Sequence, residues 1–202
     1  MTPAAVSTEA KTSSSAPTGP ASSPTERFPR LRALLQYLDS LTGRADLAVL
    51  SRLLEQLQVT RTDLAPACGF CEENYQRNVI KESPWYELVC LCWRSGQRTP
   101  IHDHRGSSCA FKVIDGTAME TRFEMTASGL LRCSDSHDMD PGFICASHDA
   151  DIHQVLNAQP AGQDVITLHI YSPPLKSFRK YTLDSPTPHG QGSEQICPSR
   201  TV

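Results

Sequence analysis

Gly96-Gln-Arg-Thr-Pro-Ile-His102-Asp-His104-Arg-Gly-Ser-Ser-Cys109-Ala-Phe-Lys-Val-Ile-Asp-Gly116 decides how the rest of the chain is read. In an extended segment, residues two apart point to one face, about 6–7 Å along the strand. His102 and His104 therefore present their imidazoles side by side, which is half of a metal site. Two exposed loop histidines behind Pro100 would give the same pattern, so the surroundings must decide. Asp103 falls on the opposite face and reads as structural. Asp115-Gly116 is a short hairpin signal between strands expected at 108–114 and 117–125.

Working outward, residues 85–93 read as a strand buried on both faces. Gly129 and Asp140-Pro141-Gly142 mark turns, and strands are expected at 142–146, 152–156 and 165–171, the last ending at Ser172-Pro173-Pro174. Upstream, Leu31, Leu34, Leu35, Leu38 and Leu41 form one helical apolar stripe, and Leu47, Leu50, Leu53, Leu54 and Leu57 a second. Thr60 or Thr62 is placed to cap a further short turn over 63–68. Many short strands without helices between them indicate an all-β barrel or sandwich carrying helices at its N-terminus. Residues 1–26, rich in Ser, Thr, Ala and Pro, cannot bury enough apolar surface to order themselves. They read as a tail, as do residues 185–202. One domain over 27–184 remains, with helices over 27–70 and the barrel over 75–184.

The 202 residues carry 19 Lys and Arg against 22 Asp and Glu, a net charge of −3, with no basic face to bind nucleic acid. The longest apolar run, 88–93, is far short of the ~18 residues a membrane span needs. The first residues lack a secretory signal and are not Arg-rich, so a soluble, cytoplasmic protein is expected. With eight cysteines but no secretory signal, a disulfide scaffold has little to recommend it. Cys68-Gly-Phe-Cys71 is a lone pair without zinc-finger spacing, and Cys90 and Cys92 read as small core residues.

Gly96, His102, His104 and Gly116 fall at the fixed positions of Gly-x5-His-x-His-x4-Glu-x6-Gly, with Cys109 where the acidic residue usually stands. Gly142, His153 and Asn157 match Gly-x5-Pro-x-Gly-x2-His-x3-Asn, with His148 and Ala150 at its Pro and second Gly. The chain in this respect resembles the cupin superfamily, which implies a small antiparallel jelly-roll β-barrel and makes His153 the third ligand. Without a carboxylate, three neutral imidazoles leave a divalent metal its full charge and open positions. Such a centre favours an anionic ligand and would hold a thiol as its thiolate.

Tyr75-Gln76-Arg77-Asn78, Cys92-Trp93, Ile101-His-Asp-His104, Cys109 and Leu168-His169-Ile170-Tyr171-Ser172-Pro173-Pro174 together resemble cysteine dioxygenase, in uninterrupted order over about residues 75–174. The resemblance implies that His102, His104 and His153 hold one Fe2+, that Arg77 binds the substrate carboxylate, and that Tyr75 lies beside it. It makes Tyr171 the active-site tyrosine supported by His169, with Thr167 in place of the family's usual Ser. It pairs Cys109 with Tyr171 as a thioether crosslink and places a cis peptide at Ser172-Pro173. His137, His148 and His189 match no ligand position.

The implied reaction joins L-cysteine and O2 to give cysteine sulfinate, with no organic cofactor and in a monomer. Relatives acting on 3-mercaptopropionate typically carry Gln where this chain has Arg77, so that thiol is the alternative substrate. A non-catalytic cupin that senses a metal or a thiol is the alternative of another class.

Overall fold

The structure, a computed structural model, describes residues 22–104, 106–147, 151–176, 178–184, 189–192 and 197–202. The chain begins with α1 (Pro24–Arg27), closed by a capping box in which Ser23 and Glu26 exchange hydrogen bonds. A 3-10 turn at Pro29–Leu31 leads into α2 (Arg32–Asp39), and Asp46 caps α3 (Leu47–Gln56) by accepting from the backbone N–H of Ala48 and Val49. The short turn foreseen after Thr60 is the 3-10 turn Ala65–Ala67. Thr60 and Asp63 exchange hydrogen bonds just before it.

Twelve strands follow among the described residues: β1 (Gln76–Glu82), β2 (Glu87–Trp93), β3 (Ile101–His102), β4 (Ser108–Asp115), β5 (Ala118–Met125), β6 (Leu131–Met139), β7 (Ile144–Ser147), β8 (Ile152–Leu156), β9 (Val165–Ser172), β10 (Phe178–Tyr181), β11 (His189–Gly192) and β12 (Cys197–Thr201). They form two six-stranded sheets, ordered β12-β1-β2-β9-β4-β7 and β11-β10-β3-β8-β5-β6. Every pairing is antiparallel except β1 with β12. This is the expected mainly β, cupin-type jelly roll with N-terminal helices.

Alternation along β2 and β9 explains why both strands read as continuous apolar runs. Leu88, Cys90, Cys92, Ile166, Leu168 and Ile170 face the helices and share a core with Leu34, Leu35, Leu38, Leu50 and Leu54. Val89, Leu91, Trp93, Val165 and Tyr171 face the barrel interior. Both faces of this sheet are therefore covered, and burial of each leucine stabilises the fold by roughly 1.5–3 kcal/mol. Lys112 on β4 sends its Nζ through the same layer to the carbonyls of Leu54 and Leu57, 2.8 Å each, and so closes the C-terminal end of α3.

The structure corrects two readings and adds pairing to a third. The turn at Asp115-Gly116 is present, with Gly116 at φ 71°, where an added Cβ would run into the Asp164 carbonyl. Yet β4 and β5 do not pair: β4 lies between β7 and β9, and β5 lies between β6 and β8. A tight-turn signal fixes where the chain reverses, and the partner is then chosen by closure of the two sheets. One cysteine, Cys71, is disulfide-bonded. In the stretch read as a C-terminal tail, β11 and β12 occupy sheet edges, where backbone groups of β10 and β1 would otherwise go unpaired. Residues 1–21, Arg105, His148 and Ala150 lie outside the described residues.

Candidate metal centre and active site

β3 and β8 run antiparallel with His102 directly opposite His153. His104, two residues beyond β3, swings its ring to within 5.0 Å of His102 and 4.8 Å of His153. All three are buried, and one nitrogen from each falls within 4.8 Å of the others. Hydrogen bonds select the tautomers. His153 Nδ1–H donates to Glu120 Oε1 at 2.6 Å, and His102 Nδ1–H to the Pro100 carbonyl at 3.0 Å. These two rings are left with their Nε2 lone pairs free to face the centre.

The donor set fits a metal ion. His153 Nε2 and His104 Nε2 stand 3.3 Å apart, a separation at which two lone pairs repel unless a proton or cation lies between them. The charged imidazolium form is disfavoured at two of the rings. Burial, followed by the charge of His153, pushes His102 down to about 3, and burial together with both neighbours holds His104 well below the usual imidazole range. Three imidazoles converging on one point, one of them held by a carboxylate, have the chemistry of a histidine metal site with its outer support. Burial raises the Glu120 carboxyl, but contact with His153 and Arg122 outweighs it, so Glu120 stays ionised. Asp103 faces away, as expected, accepting from the Arg179 backbone N–H and the Tyr181 hydroxyl at 3.0 Å each.

Tyr75, Arg77, His169 and Tyr171 line one pocket with the three histidines, the last three of these four from strands of the opposite sheet. Register places them there: Arg77 opposes Leu91, and Glu87 opposes Tyr171. Tyr75 stacks on Trp93 with centroids 4.2 Å apart. The Arg77 guanidinium lies 5.6 Å from the centre of the Tyr171 ring and donates to Glu87 Oε1 at 2.7 Å, with both side chains 9% exposed. Burial lowers the Arg77 pKa, while the Tyr171 and Glu87 contacts more than restore it. Tyr171 OH and His169 Nδ1 are 3.3 Å apart, His169 Nε2 lies 2.9 Å from Thr167 Oγ1, and Trp93 Nε1–H donates to that oxygen at 3.0 Å. Burial keeps His169 neutral and the Tyr171 phenol protonated. Cys109 faces Tyr171 across the ladder, and Ser172-Pro173 is cis.

Sequence reading missed Glu120, Glu87 and the Trp93 indole. An acidic residue on a strand is ordinarily solvated, and only the fold shows that these two carboxylates turn inward. His137 touches Asp135 at 3.0 Å and Glu120 at 3.5 Å, on the far side of Glu120 from the cavity.

Two facing sheets around three buried histidines define a cupin with a candidate metal centre. The family model described as cysteine dioxygenase type I matches residues 20–184. Cysteine dioxygenase type 1 from Danio rerio is 30% identical over 142 residues, 68% of this chain and 69% of its own. That from Homo sapiens is 26% identical over 133 residues, 64% of this chain and 66% of its own. Similar solved structures include a double-stranded β-helix protein from Klebsiella pneumoniae, with TM-score 0.46 and 17% identity over 55% of this chain and 81% of that one. Another is a cupin superfamily protein from Desulfitobacterium hafniense, with TM-score 0.43 and 15% identity over 54% and 86%. The chain belongs to the cysteine dioxygenase type I family, and so to the thiol dioxygenases, a class of oxidoreductase. Among the described residues no helix is long and apolar enough to cross a membrane.

Proposed function

We propose that this protein is an iron-dependent dioxygenase of L-cysteine, converting the thiol and O2 to cysteine sulfinate. The observation that carries this reading is the buried Arg77 guanidinium, which shares one pocket with the three converging imidazoles. A small thiol that also carries a carboxylate spans those two features, and a guanidinium fork suits the carboxylate.

His102, His104 and His153 hold the ferrous ion, which supplies the one-electron chemistry that lets dioxygen react with a thiol. Arg77 binds the substrate carboxylate through the donors that Glu87 does not occupy, and Glu87 keeps the guanidinium from swinging. Tyr75, braced by Trp93, closes the wall beside it. Tyr171 directs its hydroxyl to the reacting end, and the Trp93–Thr167–His169 chain sets its orientation. His169, kept neutral, holds the phenol hydroxyl in place through their hydrogen bond. Leu91, Val155, Leu175 and Phe178 complete the wall and exclude water, which strengthens each charge contact inside. Cys109, buried opposite Tyr171, is the thioether partner of that ring.

The test is steady-state oxygen uptake by ferrous-loaded protein with L-cysteine and with cysteamine, which lacks the carboxylate. Arg77→Ala is expected to abolish the preference for cysteine. Retention of that preference in the variant would contradict the assignment.

A further inference from the structure

Behind β2, on the face turned away from the cavity, a second cluster of ligand-type side chains is left without a role. Cys90 and Cys92 are two apart on the strand, so both point outward into the layer beneath the helices. The 3-10 turn Ala65–Ala67 lays Cys68 over them. The three sulfurs lie within 4.8 Å of one another, with Cys90 and Cys92 Sγ 3.9 Å apart, and all three are free thiols. No imidazole or carboxylate joins the group among the described residues.

We propose that Cys68, Cys90 and Cys92 form a second metal site, selective for a soft cation that accepts three sulfur donors, monovalent copper being the fit. Geometry supports it: an ion bonded at about 2.3 Å to three sulfurs in one plane separates them by about 4.0 Å, close to the observed contact. Ligand softness supports it as well, because an all-sulfur set favours Cu(I) over harder ions. Zinc would ask for a fourth donor, and the nearest polar atoms are the carbonyls of Leu64 and Ala67, already 3.3 Å from Cys68 Sγ and 3.8 Å from Cys92 Sγ, and the Asn78 amide nitrogen, a donor, at 3.6 Å. The sulfurs are also unequal in a way that suits entry. Cys90 and Cys92 are fully buried, whereas Cys68 is half-exposed and opens the site to solvent. A bound ion would pin the 65–67 turn to the back of the strand whose front presents Leu91 and Trp93 to the cavity.

The experiment uses the full chain carrying His104→Ala, which disables the histidine centre, titrated anaerobically with Cu(I) held by a coloured chelator. One copper per chain is expected to be withdrawn, with an X-ray absorption spectrum showing three sulfur neighbours. Cys68→Ser, at the half-exposed position, is expected to weaken binding at least about tenfold, the scale that even a lost outer-sphere contact reaches. Cys133→Ser, at an exposed cysteine outside the cluster, is expected to leave it unchanged. No copper withdrawn, a nitrogen-dominated spectrum, or a Cys68→Ser protein that binds as tightly as its parent would overturn the proposal.

Discussion

Cys109 stands directly opposite Tyr171 on the β4–β9 ladder, and both side chains are buried in the same inner layer. Cross-strand neighbours hold their Cβ atoms about 4.5–5.5 Å apart, so a sulfur on one reaches the ring of the other. Burial keeps both groups protonated and drives the thiol well above its usual range. Joining the thiol to the ring would remove two hydrogens and so need a two-electron oxidant, which O2 would supply in the proposed reaction. Protein taken through many turnovers is expected to contain a fraction lighter by the hydrogens lost. Cys109→Ala should show none on intact-mass analysis.

The 2.6 Å contact between His153 and Glu120 fixes one imidazole of the metal centre. Outer partners of this kind typically change metal affinity about 10–100-fold. Glu120→Ala should weaken ferrous binding by that factor in a chelator competition. The His137→Ala protein, altered on the far side of Glu120, should bind nearly as the parent does.

Arg77 should act on binding before it acts on rate. A charge-assisted hydrogen bond contributes about 1.5–3 kcal/mol, so Arg77→Ala is expected to raise KM for L-cysteine about 10–100-fold. Glu87→Gln, which releases the guanidinium from its tether, should raise the same KM by less. Cysteamine kinetics should move little in either variant.

His169 is neutral because burial, then the Arg77 charge, holds its pKa well below the ordinary imidazole range. The unfolded chain takes up this proton at a higher pH than the folded one. Stability is therefore full above the ordinary imidazole pKa and is lost as the pH falls through that range, by at most about 1.4 kcal/mol per pH unit for one proton. In denaturant unfolding of metal-free protein between about pH 7.5 and 5.5, His102 and His104 add slopes of the same sign, and His169→Phe should reduce the total by up to its one-proton share. Equal slopes in the two proteins would remove His169 from the account.

Lys112 closes α3 from inside the helix–sheet layer through two carbonyl contacts. Lys112→Met keeps most of the packing but leaves those carbonyls unpaired, at a cost of about 1–3 kcal/mol. The midpoint of thermal unfolding should fall accordingly, while KM for the thiol stays unchanged.

How far the sequence carries depends on what each signal measures. Period-two spacing pairs His102 with His104, and the resemblance to the cupin motifs adds His153; the three rings converge in the structure. The family resemblance names Thr167, His169 and Tyr171, and β9 carries all three. The sequence could not assign Asp115-Gly116 to a sheet crossing, since the local turn chemistry is the same whichever strand the chain pairs with next. Nor could it show Glu120 and Glu87 turned inward, because their partners are distant in the chain. Cys90 and Cys92 read as small core residues and Cys68 as half of a lone pair with Cys71 for the same reason: only the 65–67 turn brings Cys68 over the other two.

The central claim is best tested by oxygen consumption of ferrous-loaded protein with L-cysteine, 3-mercaptopropionate and cysteamine side by side, the sulfinate product being identified. The account predicts the highest kcat/KM with L-cysteine, with cysteine sulfinate as product. A preference for 3-mercaptopropionate would contradict the assigned substrate. No uptake with any thiol despite bound iron would contradict catalysis itself and favour a metal- or thiol-sensing cupin.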